Sequence, residues 1–293
     1  MSFPTLPLAG ATPADWLELT KPRITAMVVF TALVGYVTAA PGAAWTALLA
    51  AALGGTALVA AGASVLNQVM ERDTDALMLR TRTRPLPAGR IGPGEARAFG
   101  FFLTLSGLAT LLWFSGTLAA AVACATWASY LFAYTPLKRR TPLATLVGAV
   151  PGALPPVIGW AAARGRLDAG AFILFAILFL WQVPHFLAIA WLYRDDYARA
   201  GFPMLPVLDR EGTFTSRQAV VHCLALLLVS LAPAVAGLAG QAYLAGAFLL
   251  GVALTLFALR LARARDLASA RGLFLASVLY LPALSSLLLA VRP

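Results

Sequence analysis

Charge is what this chain has least of. Only 12% of its 293 residues are Asp, Glu, Lys or Arg, against about a quarter in a soluble domain, while 60% are apolar. There is too little polar surface to coat a water-facing globule, so the composition excludes a soluble protein. Cysteine is nearly missing too: Cys124 and Cys223 stand alone, without CxxC spacing, which excludes a disulfide scaffold or a thiol redox pair and leaves them as small core residues. No GxxxxGK[ST] loop is present, so a phosphate compound would not be handled in the P-loop manner. The first twenty residues hold no Lys, no Arg and no apolar core segment, unlike a secretory signal or an Arg-rich presequence.

What is present is a series of apolar stretches of roughly 20 residues, each about long enough to cross a ~30 Å hydrocarbon slab as a helix. They lie near 24–40, 45–70, 98–116, 118–135, 143–163, 169–193, 218–238, 242–261 and 272–291. Runs such as Leu244 to Leu259 are continuously apolar rather than alternating, which argues against a β-barrel. The expected fold is therefore all-α, a polytopic membrane bundle of nine helices. A single domain, 1–293, is expected, with 1–20 as an N-terminal cytoplasmic tail. Pro151, Pro155 and Pro156 either kink the fifth helix or end it early.

The net charge of +10 resides in the loops. Arg164, Arg166 and Arg292 fall on one side of the bundle, and the other 19 of the 22 basic residues fall on the opposite side. Basic residues accumulate on the cytoplasmic side, so the N-terminus and the basic loops are expected there, with a bacterial inner membrane as the simplest home and the lipid bilayer as the main surroundings. A nucleic-acid partner would need a basic, water-facing module with interleaved aromatics, which is lacking.

Ionisable residues cost free energy near a bilayer, so their clusters are candidate functional sites. Asn67, Glu71 and Asp75 are spaced by four and stack on one helical stripe, whereas Asp73 points roughly the other way, either as a partner for Arg72 or as a group that supports the stripe from behind. Arg80, Arg82 and Arg84 follow immediately. Such a stripe also occurs as a solvated helix end, but carboxylates beside guanidinium groups suit a polyanion held through Mg2+: hard oxygens bind the ion, and Arg forks take the remaining phosphate oxygens. A second acidic pair, Asp195 and Asp196, ends the sixth helix on the same face. Lys138 follows Tyr134-Thr135-Pro136 there and is either a topology marker or a catalytic cation.

The block Asn67-Gln68-Val69-Met70-Glu71-Arg72-Asp73-Thr74-Asp75 through Arg80-Thr81-Arg82-Thr83-Arg84-Pro85 resembles the first acidic motif of the UbiA superfamily of intramembrane prenyltransferases. Tyr134-Thr135-Pro136-Leu137-Lys138, Trp181-Gln182-Val183-Pro184-His185-Phe186, and Asp195-Asp196-Tyr197 with Gly201-Phe202-Pro203-Met204 agree with it and match the branch acting on haem. The resemblance implies transfer of a farnesyl group from farnesyl diphosphate to a vinyl of haem B, with water added, giving haem O. It implies Mg2+ on Asn67, Glu71, Asp75, Asp195 and Asp196. Asn67, Glu71, Asp75, Asp196 and Lys138 become the catalytic set, and Arg80, Arg84 and Lys138 the diphosphate contacts. His185 and Trp181 become haem contacts. His185 and His222 are the only histidines, and each also reads as a buried hydrogen-bonding residue. Trp181, Trp191 and Phe186 either line a prenyl path or serve as packing.

Two departures stand out. Gln68 stands where the superfamily often has an acid, and Ala200 where it often has a second acid four residues past Asp196, so one well-held Mg2+ with a weaker second is expected. Two other readings stay open: an aromatic, quinone-precursor acceptor, and a non-catalytic haem transporter or haem-binding membrane protein. Haem A synthase or cytochrome oxidase assembly factors are candidate partners.

Overall fold

A computed structural model describes residues 10–42 and 46–290; Arg292, one of the three basic residues assigned to the sparse side, lies outside them. Among the described residues nine helices are long and apolar enough to cross a membrane. They are Pro22–Ala39, Ala47–Asp75, Pro93–Ser115, Thr117–Leu137, Ala144–Arg164, Ala169–Leu192, Thr213–Val235, Gln241–Ala264 and Leu267–Ala290, hereafter the first to ninth spans. The spans are longer than their apolar runs mainly at the basic rim, the end where the basic loops gather.

The second span shows why. Its 29 residues rise about 43 Å at 1.5 Å per residue, well beyond a ~30 Å slab. Its last turns therefore stand at the rim, and these turns carry Asn67, Glu71 and Asp75.

Small residues set the closest packing between spans. A side chain on Gly62 would collide with Thr104 and the Gly100 carbonyl, and one on Gly107 with the Gly55 carbonyl and Val59, so the second and third spans meet almost backbone to backbone. The first span and the latter half of the fifth meet in the same way, at Gly35 against Pro156 and Gly159 against Ala32. The fifth span does not end at its prolines. It runs as Ala144–Ala153, breaks at Leu154 and resumes as Pro155–Arg164, since Pro155 and Pro156 bring no N–H to the ladder and are tolerated in a first helical turn.

Two sequence expectations are modified. Residues 13–19 of the expected tail form a helix, Pro13–Leu19, capped by reciprocal Thr12 and Asp15 hydrogen bonds. It docks on the bundle: Leu19 is fully buried with Val65, Leu86 and Ile91, and Trp16 meets Phe99 edge-on at 5.1 Å. Cys223 is buried as expected, but Cys124 is exposed on the outer surface of the fourth span.

Candidate active site at the basic rim

The spacing of four brings Asn67, Glu71 and Asp75 to one face of the second span, and all three are buried, at 3%, 4% and 1% exposure. Each is met by groups from elsewhere in the chain. Asn67 donates its amide to Thr135 Oγ1 at 3.1 Å and accepts from Lys21 Nζ at 3.3 Å. Glu71 takes Lys138 Nζ on both carboxylate oxygens, at 3.1 and 3.2 Å. Asp75 accepts from Arg84 Nη1 at 2.7 Å. Two buried carboxylates thus face three cations, one from each of three loops or termini.

The fourth span delivers two of these partners through a local irregularity. Its last turns widen into a π-helix at Ser129–Tyr134 before Thr135–Leu137, which sets Thr135 against Asn67 and Lys138 against Glu71. Lys138 also lies over the ring of Phe202, 4.7 Å from its centroid. Burial disfavours the charge on Lys138, but the Glu71 carboxylate outweighs it and holds the pKa above that of an ordinary lysine. Among the described residues Lys21 has no carboxylate within ion-pair distance. Burial, followed by the charge of Arg84, pushes its pKa down to about 8 against the opposing pull of Glu71 and Asp75. Its backbone is left-handed, at φ 48°, where a side chain is normally avoided.

Gln68 explains itself. Its Nε2 donates to the Leu19 carbonyl at 2.7 Å and to Ser64 at 3.1 Å, in a site where Gln68 is 1% exposed. A carboxylate has no hydrogen to give that carbonyl. The amide seats the N-terminal helix and, two residues on, Lys21.

The second acidic pair is split. Asp196 is buried, and its oxygens accept from Leu79 N and Arg80 N at 3.3 Å each and from Arg199 at 2.8 Å. It pins the 76–92 loop, which Thr81 also ties to the Asp75 carbonyl at 2.8 Å. Asp195 is 91% exposed and nears only Arg194, at 3.9 Å. Asp73 is exposed, and no ion pair with Arg72 forms among the described residues. Arg80 is exposed with its guanidinium 5.0 Å from the Tyr193 ring. Of the named metal candidates, then, the structure gathers Asn67, Glu71 and Asp75 with Lys138 and Arg84, sets Asp196 against the loop backbone and leaves Asp195 outside.

Among the described residues no three His, Cys, Asp or Glu side chains form a metal-binding group. The donor set nonetheless suits Mg2+, which usually takes one or two carboxylates and completes its shell with water and substrate phosphate. Two carboxylates and an amide oxygen on one face, already balanced by side-chain cations, fit that pattern.

Deeper in the bundle His185 stacks on Trp181 at 4.8 Å, and both rings bond to Ser277 of the ninth span. Among the described residues His222 hydrogen-bonds only the Gln218 carbonyl of its own helix, at 2.8 Å. Trp191 is core packing: it is buried, lies against Gly212 and has Arg194 5.6 Å from its ring. Lys21, Thr135, Phe202 and Ser277 were not singled out by the sequence. The only available signal was that Lys21 directly precedes Pro22 at the first span's entry, and that Thr135 and Phe202 lie inside the motif stretches.

The sequence pattern described as the UbiA prenyltransferase family matches residues 28–281. A protein of Solibacter usitatus named protoheme IX farnesyltransferase is 48% identical over 288 residues, covering 95% of this chain and 99% of its own. Among solved structures, a digeranylgeranylglyceryl phosphate synthase superposes with a TM-score of 0.80 at 16% identity, over 95% of this chain and 97% of its own. A UbiA homolog from Archaeoglobus fulgidus bound to GPP and Mg2+ superposes at 0.64 with 15% identity, over 94% and 100%.

Proposed function

The chain belongs to the UbiA prenyltransferase family, and on that footing we propose that it transfers the farnesyl group of farnesyl diphosphate to a vinyl group of haem B, with addition of water, giving haem O and diphosphate. The observation that carries this reading is the buried stripe of Asn67, Glu71 and Asp75 faced by Lys21, Arg84 and Lys138, in a chain with a full-length relative that bears the name protoheme IX farnesyltransferase.

Ionising an allylic diphosphate requires stabilising the charge that builds on the leaving group. Asn67, Glu71 and Asp75 would hold Mg2+, which supplies Lewis-acid stabilisation of that charge. Mg2+ together with GPP in the Archaeoglobus fulgidus homolog supports the choice of metal. Lys138 and Arg84, now engaged by Glu71 and Asp75, are the cations that exchange a carboxylate for a phosphate oxygen when substrate and metal arrive; Arg80 lies on the same loop as a further contact. Asp196 serves by fixing the loop that presents Arg80 and Arg84. The apolar bundle below the rim shields the allylic cation from bulk water until the vinyl carbon attacks. Trp181 and His185, about 10–17 Å below the end of the sixth span by helical rise, are where the reading seats haem. Both substrates are greasy with an anionic end, which suits a cavity open to lipid with its charged groups at one rim. The reading sets that rim on the cytoplasmic side of a bacterial inner membrane, as the basic loops favour, and treats 1–293 as one domain.

The test is direct. Purified protein given labelled farnesyl diphosphate, haem B and Mg2+ should yield labelled haem O, and exhaustive chelation should reduce the yield to background. Activity that survives chelation would remove the metal assignment. Label passing to an aromatic acid but never to haem would move the acceptor. Haem binding with no diphosphate release would make the protein a carrier.

A further inference from the structure

Ser277 in the ninth span is fully buried, and it has one hydroxyl proton to place. That proton goes to the Phe274 carbonyl of its own helix, 2.6 Å away. The same Oγ lies 2.8 Å from His185 Nδ1, and with its proton spent it can only accept. Nδ1 must therefore be the donor and carry the ring hydrogen. No carboxylate among the described residues pairs with this imidazole, and an unpaired imidazolium inside an apolar bundle would be a costly buried charge. The ring is thus neutral, with its lone pair on Nε2, and Nε2 has no hydrogen-bond partner among the described residues.

The ring's orientation is fixed as well. Trp181 stacks on one side, Phe274 lies 5.3 Å away on another, and Trp181 Nε1 donates to the Ser277 main-chain carbonyl at 2.8 Å. A histidine that binds a metal characteristically gives its other N–H to a neighbouring acceptor, which sets the tautomer and strengthens the ligand. We infer that Ser277 is a positioning residue that holds His185 in its Nδ1–H form, so that Nε2 serves as a single axial ligand to the iron of the haem substrate. The inference rests on the haem reading proposed above. His222 lacks this brace, since its Nδ1 bonds within its own span. One protein ligand rather than two suits a haem that must leave as product, whereas two histidines suit a resident electron carrier.

The experiment uses the full-length protein in lipid nanodiscs titrated with ferric haem, read by its Soret band and electron paramagnetic resonance, alongside Mg2+-dependent farnesyl diphosphate binding. Ser277→Ala leaves the Trp181 bond in place, because that bond is to the main chain. It should weaken haem affinity by roughly ten- to hundredfold and blur the histidine-ligated spectrum, with diphosphate binding unchanged. Ser277→Thr should restore both haem readouts, His185→Ala should abolish the histidine signature, and His222→Ala should preserve it. Nitrogen-15 NMR of histidine-labelled wild type should report Nδ1–H with Nε2 unprotonated, independently of how any variant folds. The opposite tautomer, an unaltered Ser277→Ala spectrum and affinity, or a signature lost in His222→Ala instead would each overturn the inference. If the wild type farnesylates haem while Ser277→Ala is indifferent, only this inference falls. If the wild type never takes haem, the reading beneath it falls too.

Discussion

At the end of the second span three oxygen-bearing side chains stand four residues apart, and all are buried; at the end of the sixth, two aspartates stand side by side, and only Asp196 is buried. Four residues is slightly more than one helical turn, so Asn67, Glu71 and Asp75 share a face, while adjacent residues diverge by about 100° and cannot both look inward. The partners differ as well. The first set meets only side-chain groups, whereas Asp196, besides the Arg199 guanidinium, meets two backbone N–H groups that cannot move unless the loop does. Two acidic motifs that look equivalent as text are thus a buried stripe faced by cations and a fastening for the 76–92 loop.

The comparison can be broken in three places. Glu71→Gln or Asp75→Asn should lower kcat by about 10²–10³-fold, the scale of losing a group that stabilises transition-state charge, with normal membrane insertion; near-normal turnover in both would mean the buried stripe is structural. Asp196→Asn should cost about tenfold, through a slack 76–92 loop and a raised KM for the diphosphate, as expected for weakening charge-assisted bonds of about 1.5 kcal/mol. A loss in kcat alone as large as that of Glu71→Gln would place Asp196 in the reactive set. Asp195→Asn should stay within about twofold of wild type in steady-state rates, because exposed charges contribute little; a defect matching Asp196→Asn would erase the distinction between the neighbours.

Much of this architecture is legible in the chain itself. The nine spans agree with the apolar runs to within about three residues on the sparse side, for example 39 against 40 and 169 against 169. At the basic rim several extend about five residues further, at Asp75, Pro93, Thr213 and Leu267. Hydropathy marks where lipid ends, not where helix ends, and capped polar turns carry the helix onward. The acidic stripe was legible because its period is local. Lys21 was legible only as a basic residue near a span, since it meets Asn67 from 46 positions away; Ser277 meets His185 from 92. No local period encodes such pairs. The split of Asp195 from Asp196 was hidden for a related reason: the two lie not on the sixth span but on a short helix, Arg194–Arg199, that follows a break at Tyr193, and which of them faces inward depends on how that helix is turned against the 76–92 loop.

The first span connects two places that otherwise never meet. Its entry holds Lys21, and some 14 residues later Gly35 rests on the Pro156 backbone, about 21 Å away along a stiff rod. A single methyl inserted at that distant fulcrum would tilt the rod and swing its ammonium out of register, so inactivating lesions belong on the sparse face as much as among the charges themselves. Screens for loss of activity that scan only the polar loops would overlook them.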